Sequence, residues 1–178
     1  SNDASGSVVC ACLEGNRPIL VEVQALVAKT PYGMPRRTAV GFDYNRVTML
    51  LAILERRLGM DFGAYDAYVN VVGGMRVTEP AADLAVAAAL VSSYRNRPIP
   101  HGVLVMGEVG LTGEVRRIGS PERRIKDAMN LGFKRFVLPM GKLSLDEPCN
   151  GIVQVKTLEE ALDKVFAQKS GGFSALFC

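Results

Sequence analysis

The sequence predicts an α+β fold, an α/β sandwich in which helices pack on a sheet. Three observations point there. The first part of the chain is rich in β-branched residues broken by turn residues. In one of these runs Ile19, Val21, Val23, Ala25 and Val27 share a face while Glu22 and Gln24 share the other, the alternation of a half-buried strand. Beyond Val71 strands alternate with helical segments, and one of these, Ala81 to Tyr94, is apolar almost all round, as a helix held between layers must be. At 178 residues the chain suits one domain able to bury a core, and no Pro/Gly/Ser tract divides it.

The elements follow in order. Ser1 to Gly6 is small and polar and reads as a flexible boundary segment (1–6), with the domain proper at 7–168 and a tail at 169–178. Val8 to Leu13 and Ile19 to Ala28 are strands flanking the hairpin turn Glu14-Gly15-Asn16-Arg17. Thr30 to Arg37, broken by two prolines and a glycine, is an exposed loop before a short strand, Thr38 to Phe42. Asp43 or Asn45 caps the next helix, whose stripe is Val47, Leu50, Leu51, Ile53, Leu54 and Leu58, and Gly59 stops it. Ala67 to Val72 is a central strand. Glu79 and Asp83 stand at the first turn of the apolar helix, where carboxylates suit the helix dipole. Val103 to Met106 and Glu114 to Arg117 are strands joined through Gly107, Gly110 and Gly113. Ser120-Pro121 starts a helix with serine as cap, and Gly132 ends it. Strands Arg135 to Leu138 and Ile152 to Val155 follow, then a helix opened by the capping box Thr157-Leu158-Glu159-Glu160.

Composition narrows the function classes. The net charge of +3, from 21 basic and 18 acidic residues, is too small to argue nucleic-acid binding by itself. No apolar run approaches the length of a membrane span, which favours a cytoplasmic protein without membrane contact. Cys10, Cys12, Cys149 and Cys178 contain no C-x-x-C pair, and His101 is the single histidine, so the four read as free thiols and no metal site is expected. The glycines at 107, 110 and 113 match neither nucleotide-loop spacing and are better read as turns.

Gly73-Gly74, Thr78-Glu79-Pro80-Ala81-Ala82-Asp83, Gly107 to Glu114 and Ile118-Gly119-Ser120-Pro121-Glu122-Arg123-Arg124 occur in an order and spacing that resemble the proteolytic domain of Lon proteases. The resemblance runs from about Val8 to Phe166 and implies a ribosomal-protein-S5 domain-2-like fold. In that family a serine nucleophile and a lysine base fall on the positions held here by Ala81 and Arg124. Alanine has no hydroxyl to activate, and arginine keeps its proton, so a Ser-Lys peptidase is not expected. Lys126 faces about 200 degrees away from Arg124 on the helix, and Ser92 is roughly 16 Å along the axis from Ala81, so neither replaces the pair.

Pro18 to Val27, Pro35 to Gly41, Asn45-Arg46, Val69 to Gly74, Ala82 to Ala85 and Gly107 to Arg116 further resemble the C-terminal Lon-like portion of the bacterial RadA (Sms) recombination and repair family. That resemblance implies a non-catalytic scaffold that assembles into a ring, as a hexamer, and binds single-stranded or branched DNA, with recombinase proteins as further partners. The parent proteins of that family are DNA-dependent ATPases in branch migration. Their ATP, Mg and Zn belong to N-terminal modules not visible in this sequence, so no cofactor is expected here. Candidate DNA contacts are Arg36, Arg37, Arg46, Arg116, Arg117, Arg123, Arg124 and Lys126, basic groups clear of the apolar stripes. Tyr32 and Phe42 are candidate base-stacking aromatics, against the plainer reading that they belong to the core. The alternative is a protein-interaction module without DNA contact.

Overall fold

The computed structural model describes residues 4–167. Strand β1 (Ser7–Glu14) turns through Gly15 and Asn16 into β2 (Arg17–Lys29), with Glu14 opposite Arg17, as the turn residues dictate. β3 (Arg37–Val40) precedes helix α1 (Tyr44–Leu58), and β4 (Tyr65–Val71) follows it. A 3₁₀ turn at Pro80–Ala82 leads into α2 (Asp83–Arg95), then β5 (Val103–Val105), β6 (Glu108–Val109) and β7 (Val115–Arg116). Helix α3 (Pro121–Asn130), β8 (Arg135–Pro139), β9 (Ile152–Val155) and α4 (Leu158–Phe166) complete the described chain.

Seven strands form one mixed sheet in the order β3-β4-β2-β1-β5-β8-β9. The β4-β2-β1 core of one half is antiparallel, while β5, β8 and β9 extend it in parallel from β1. Val21, Val23 and Ala25 of β2 are buried together with Val8, Cys10 and Cys12 of β1, and α2 packs against both strands. Every residue of α2 from Asp83 to Ser92 is buried, because α1 and α4 close on it as well, the all-round burial that its lack of a polar face requires. The opposite face of β1, β2 and β4 presents Ser7, Glu22, Gln24, Leu26, Tyr68 and Asn70 in an open groove of about 720 Å³.

Caps decide where the helices begin and end. Asp43 accepts from the Asn45 amide at 2.7 Å and Gly59 closes α1 in the left-handed conformation at φ 68°. Thr157 accepts from Glu160 N at 3.1 Å, and the Glu160 carboxylate takes the Lys156 amide.

Some expectations are corrected. Ser120 does not cap α3: its backbone is left-handed at φ 52° and its side chain makes no cap bond, so Pro121 alone sets the start. The apolar helix begins at Asp83, because Ala81 and Ala82 stay in the 3₁₀ turn tied by Gly107 N to Ala81 O at 2.8 Å. β5 and β7 belong to different sheets. β7 pairs with the two-residue β6 in a separate ribbon, and the glycines carry the chain between the two sheets. Ser5 and Gly6, expected in the loose leading segment, are held by Asn96, by Ser92 Oγ at 2.8 Å from Gly6 N, and by Ala25 N at 2.7 Å from Gly6 O. Cys10 and Cys12 are free and buried, whereas Cys149 is disulfide-bonded and not a free thiol. The readings for Cys178 and for the 169–178 tail fall outside the described residues.

Candidate functional site

The two positions that would carry a Ser-Lys pair are both removed from solvent. Ala81 sits in the 3₁₀ turn and is buried, with Cys10 Sγ 3.8 Å from its carbonyl oxygen. Arg124, on α3, is 1% exposed. Its Nη1 and Nη2 donate to Glu79 Oε1 at 2.5 Å and Oε2 at 3.0 Å, Nη1 also to Ala11 O at 2.9 Å, and Nε to Gly119 O at 2.8 Å. Glu79 Oε1 further accepts from the Leu13 amide at 2.7 Å. Glu79 is therefore not a helix cap. It is the counter-charge that lets a guanidinium be buried, and the two together stitch α3 to β1.

Asp83 departs from expectation in the same way. It is fully buried, and Arg46 reaches it from α1 through two charge-assisted bonds, Nε to Oδ1 at 2.7 Å and Nη2 to Oδ2, while Val109 N donates at 3.2 Å. Burial pushes the Asp83 carboxyl up from its ordinary value against the pull of Arg46 and Val109, and the bond to Asp83 raises Arg46 in turn. The pair ties α1, α2 and β6 together.

These contacts sort the candidate basic residues. Arg124 is withdrawn from the solvent-facing set by its burial, and Arg46 is largely committed to Asp83. Arg37 spends its guanidinium on the carbonyls of Phe62, at 2.9 Å, and Tyr65. Arg123 is exposed but donates to Asn16 O in the hairpin turn at 2.7 Å. Arg116 stands 3.5 Å from Glu114 and 3.9 Å from Glu108. Arg36, Arg117 and Lys126 are exposed, the last 3.9 Å from Asp146. The basic residues of α3 do not form one patch, since helical rotation turns Arg124 inward and Lys126 outward.

Other chemistry is limited by the same geometry. The Cys10 thiol is held well above its ordinary value by its hydrogen bond with Cys12, 3.9 Å away, and by burial, so it is not poised as a thiolate. The glycine-rich turn is closed on itself: Gly113 N donates to Gly110 O at 2.9 Å, and the Glu114 carboxylate takes Thr112 N and Oγ1 at 3.2 and 2.9 Å. The Thr112 amide and hydroxyl, donors that a phosphate would otherwise draw on, are thus already taken by the Glu114 carboxylate. Sequence reasoning missed Glu79 as a partner, although a carboxylate two residues before Ala81 and an arginine at 124, the two positions on which the Lon resemblance lays its pair, are together a signal for it.

Residues 23–142 match the family model of subunit ChlI of Mg-chelatase. The chain is 51% identical over 162 residues to the DNA repair protein RadA of Pseudomonas aeruginosa, covering 90% of this chain and 36% of that protein. It is 47% identical to RadA of Halalkalibacterium halodurans over 167 residues and 46% identical to RadA of Bacillus subtilis over 164, covering 92% and 91% of this chain. In each case it spans 36% of the relative's length. A mixed α/β chain whose residues 23–142 match that model thus belongs to the ChlI family and is a domain-length homologue of the bacterial DNA repair protein RadA.

Proposed function

We propose that this domain is a non-proteolytic, Lon-like scaffold of a RadA-type recombination and repair ATPase, promoting ring assembly, as a hexamer, and binding single-stranded or branched DNA in the cytoplasm. The observation that carries the reading is the Arg124–Glu79 ion pair. A guanidinium locked to a carboxylate stands where a peptidase would need a base, and Ala81 offers no nucleophile, so the site holds the fold together instead of doing chemistry. Arg36, Arg116, Arg117, Arg123 and Lys126 remain solvent-facing and are the groups for phosphate contact, which needs only charge within reach. The ATPase and zinc-binding modules, with their ATP, Mg and Zn, lie in the remainder of such a protein.

The test is binding of labelled single-stranded and branched DNA at low and moderate salt, with oligomeric mass recorded in the same samples. Affinity that falls steeply with salt in a ring-sized species supports the proposal, and Arg36→Ala with Arg117→Ala should weaken it for every DNA sequence alike. A ring that ignores DNA at low salt moves the role to protein partners. The open groove across β1, β2 and β4, where Leu26 is 57% exposed, favours that second reading.

A further inference from the structure

The loop between β2 and β3 is broken by proline and glycine, yet it is held. Thr30 N donates to Ala64 O at 2.8 Å, and Thr30 Oγ1 and Arg36 N donate to the same Asp66 oxygen at 2.9 and 2.8 Å, pinning both ends of the loop to β4. Pro31 and Pro35 restrict two backbone angles, and Gly33 at φ 85° makes the left-handed turn between them. On this frame Tyr32 is 89% exposed and Met34 88%, while Phe42, the other candidate stacking aromatic, is buried. A clamped loop that keeps two large apolar side chains in water presents them at low ordering cost.

The flanking charge selects what they meet. Lys29 and Arg36 are exposed on either side, no acidic residue lies between Lys29 and Arg37 in the sequence, and the Asp66 carboxylate beside the loop accepts from the Arg36 amide and not from its guanidinium. An apolar protein pocket would leave these cations unmatched, whereas a single strand offers phosphates at the flanks and an unstacked base at the centre. We infer that Tyr32 is a stacking platform for one base of single-stranded DNA, with Lys29 and Arg36 on the neighbouring phosphates and Met34 against the base edge. The inference rests on the DNA-binding reading above and adds to it a preference for single strand, since a duplex keeps its bases in its own stack.

The experiment is equilibrium binding of a labelled oligo-dT and of a hairpin duplex to this chain and to its Tyr32→Ala and Tyr32→Phe variants. The exposure of Tyr32 leaves folding unaffected, which a thermal melt checks. Tyr32→Ala should weaken oligo-dT binding by about 5- to 100-fold and leave duplex binding and the salt slope unchanged, while Tyr32→Phe, which keeps the ring, should stay within about twofold of the parent. If the parent binds oligo-dT and Tyr32→Ala binds it equally well, the stacking role is overturned while the DNA-binding reading stands. Loss of oligomeric mass in Tyr32→Ala with oligo-dT affinity unchanged also overturns it, and assigns the loop to a protein contact. A parent that binds neither DNA at low salt overturns both.

Discussion

Arg124 and Glu79 face each other in a two-pronged ion pair, Nη1 to Oε1 at 2.5 Å and Nη2 to Oε2 at 3.0 Å, with the guanidinium 1% exposed. The planar fork of arginine satisfies both carboxylate oxygens and still donates to Ala11 O and Gly119 O. A lysine in its place would bring a compact ammonium without the planar fork that meets both carboxylate oxygens side by side. The arginine at this position is therefore a fastener between α3, β1 and the 3₁₀ turn.

Truncating one partner of this pair should be expensive. Arg124→Ala leaves Glu79 without its counter-charge and Ala11 O without that donor, and should lower unfolding free energy by about 3–5 kcal/mol in urea titration. Replacing both, with Glu79→Leu and Arg124→Met, should cost less than the sum of the single changes, since no charge is then stranded. A strictly additive double mutant would show that the two residues act separately.

Placing a serine at 81 and a lysine at 124 should not create peptidase activity. In the variant Ala81→Ser with Arg124→Lys, the new ammonium still faces Glu79, which favours its charged form and keeps it from acting as a base. Incubation with a fluorogenic peptide and with a serine-reactive fluorophosphonate should give neither turnover nor labelling. Labelling of the variant, absent from Ala81 protein, would show that Glu79 does not control the site.

Much of the fold was legible because it rests on periodicity. The two-residue alternation of β2, the all-round apolarity of α2 and the caps at Asp43, Gly59 and Thr157 are local signals, and the structure honours each one. The site was less legible because its partners are distant in sequence. Glu79 and Asp83 suit a helix start on local grounds, yet Arg124 and Arg46 reach them across tertiary space, and in a buried setting a charge partner outweighs a dipole. Helical rotation explains Arg124: a single step along α3 leads from the exposed Arg123 to its buried neighbour, and the apolar side of α3 is too short to reveal which way it faces. Tyr32 and Phe42 were equal candidates until the folding of the loop exposed one and buried the other.

Gly41 gives a sharper test of packing. It lies at φ 80°, and a Cβ there would come within 2.5 Å of Met75 O and 2.8 Å of Val71 Cβ, while Gly41 O accepts from Val77 N at 2.8 Å. Gly41→Ala combines left-handed strain with a backbone clash, so it should cost more than the about 1–3 kcal/mol of such strain alone. The control Gly73→Ala, at φ 87° with open space around it, carries the strain without the clash and should cost less. Equal melting temperatures for the two variants would mean that the segment from Gly41 to Val77 yields freely.

Asp66 sets a pH dependence for the loop that carries Tyr32. The Arg36 amide above all, then the Thr30 hydroxyl and the nearby Arg36 and Arg37 charges, hold its carboxyl below its ordinary 3.8. A carboxyl depressed in the folded state stabilises the fold above its unfolded value, and that contribution is lost as pH falls through the lower folded value. The amide proton of Arg36, bonded to a carboxylate at neutral pH, should therefore lose its downfield NMR shift with a midpoint below 3.8. Asp66→Ala should show the lost-bond position at every pH and faster hydrogen exchange across residues 30–36, with the core amides of α2 unchanged. If the loop positions Tyr32 for a base, that same variant should weaken oligo-dT binding at neutral pH while the tyrosine itself is intact, because the ordering cost removed by the clamp returns. A midpoint above 3.8, or exchange across 30–36 indifferent to Asp66, would show that the two ends of the loop are pinned by something other than this carboxylate.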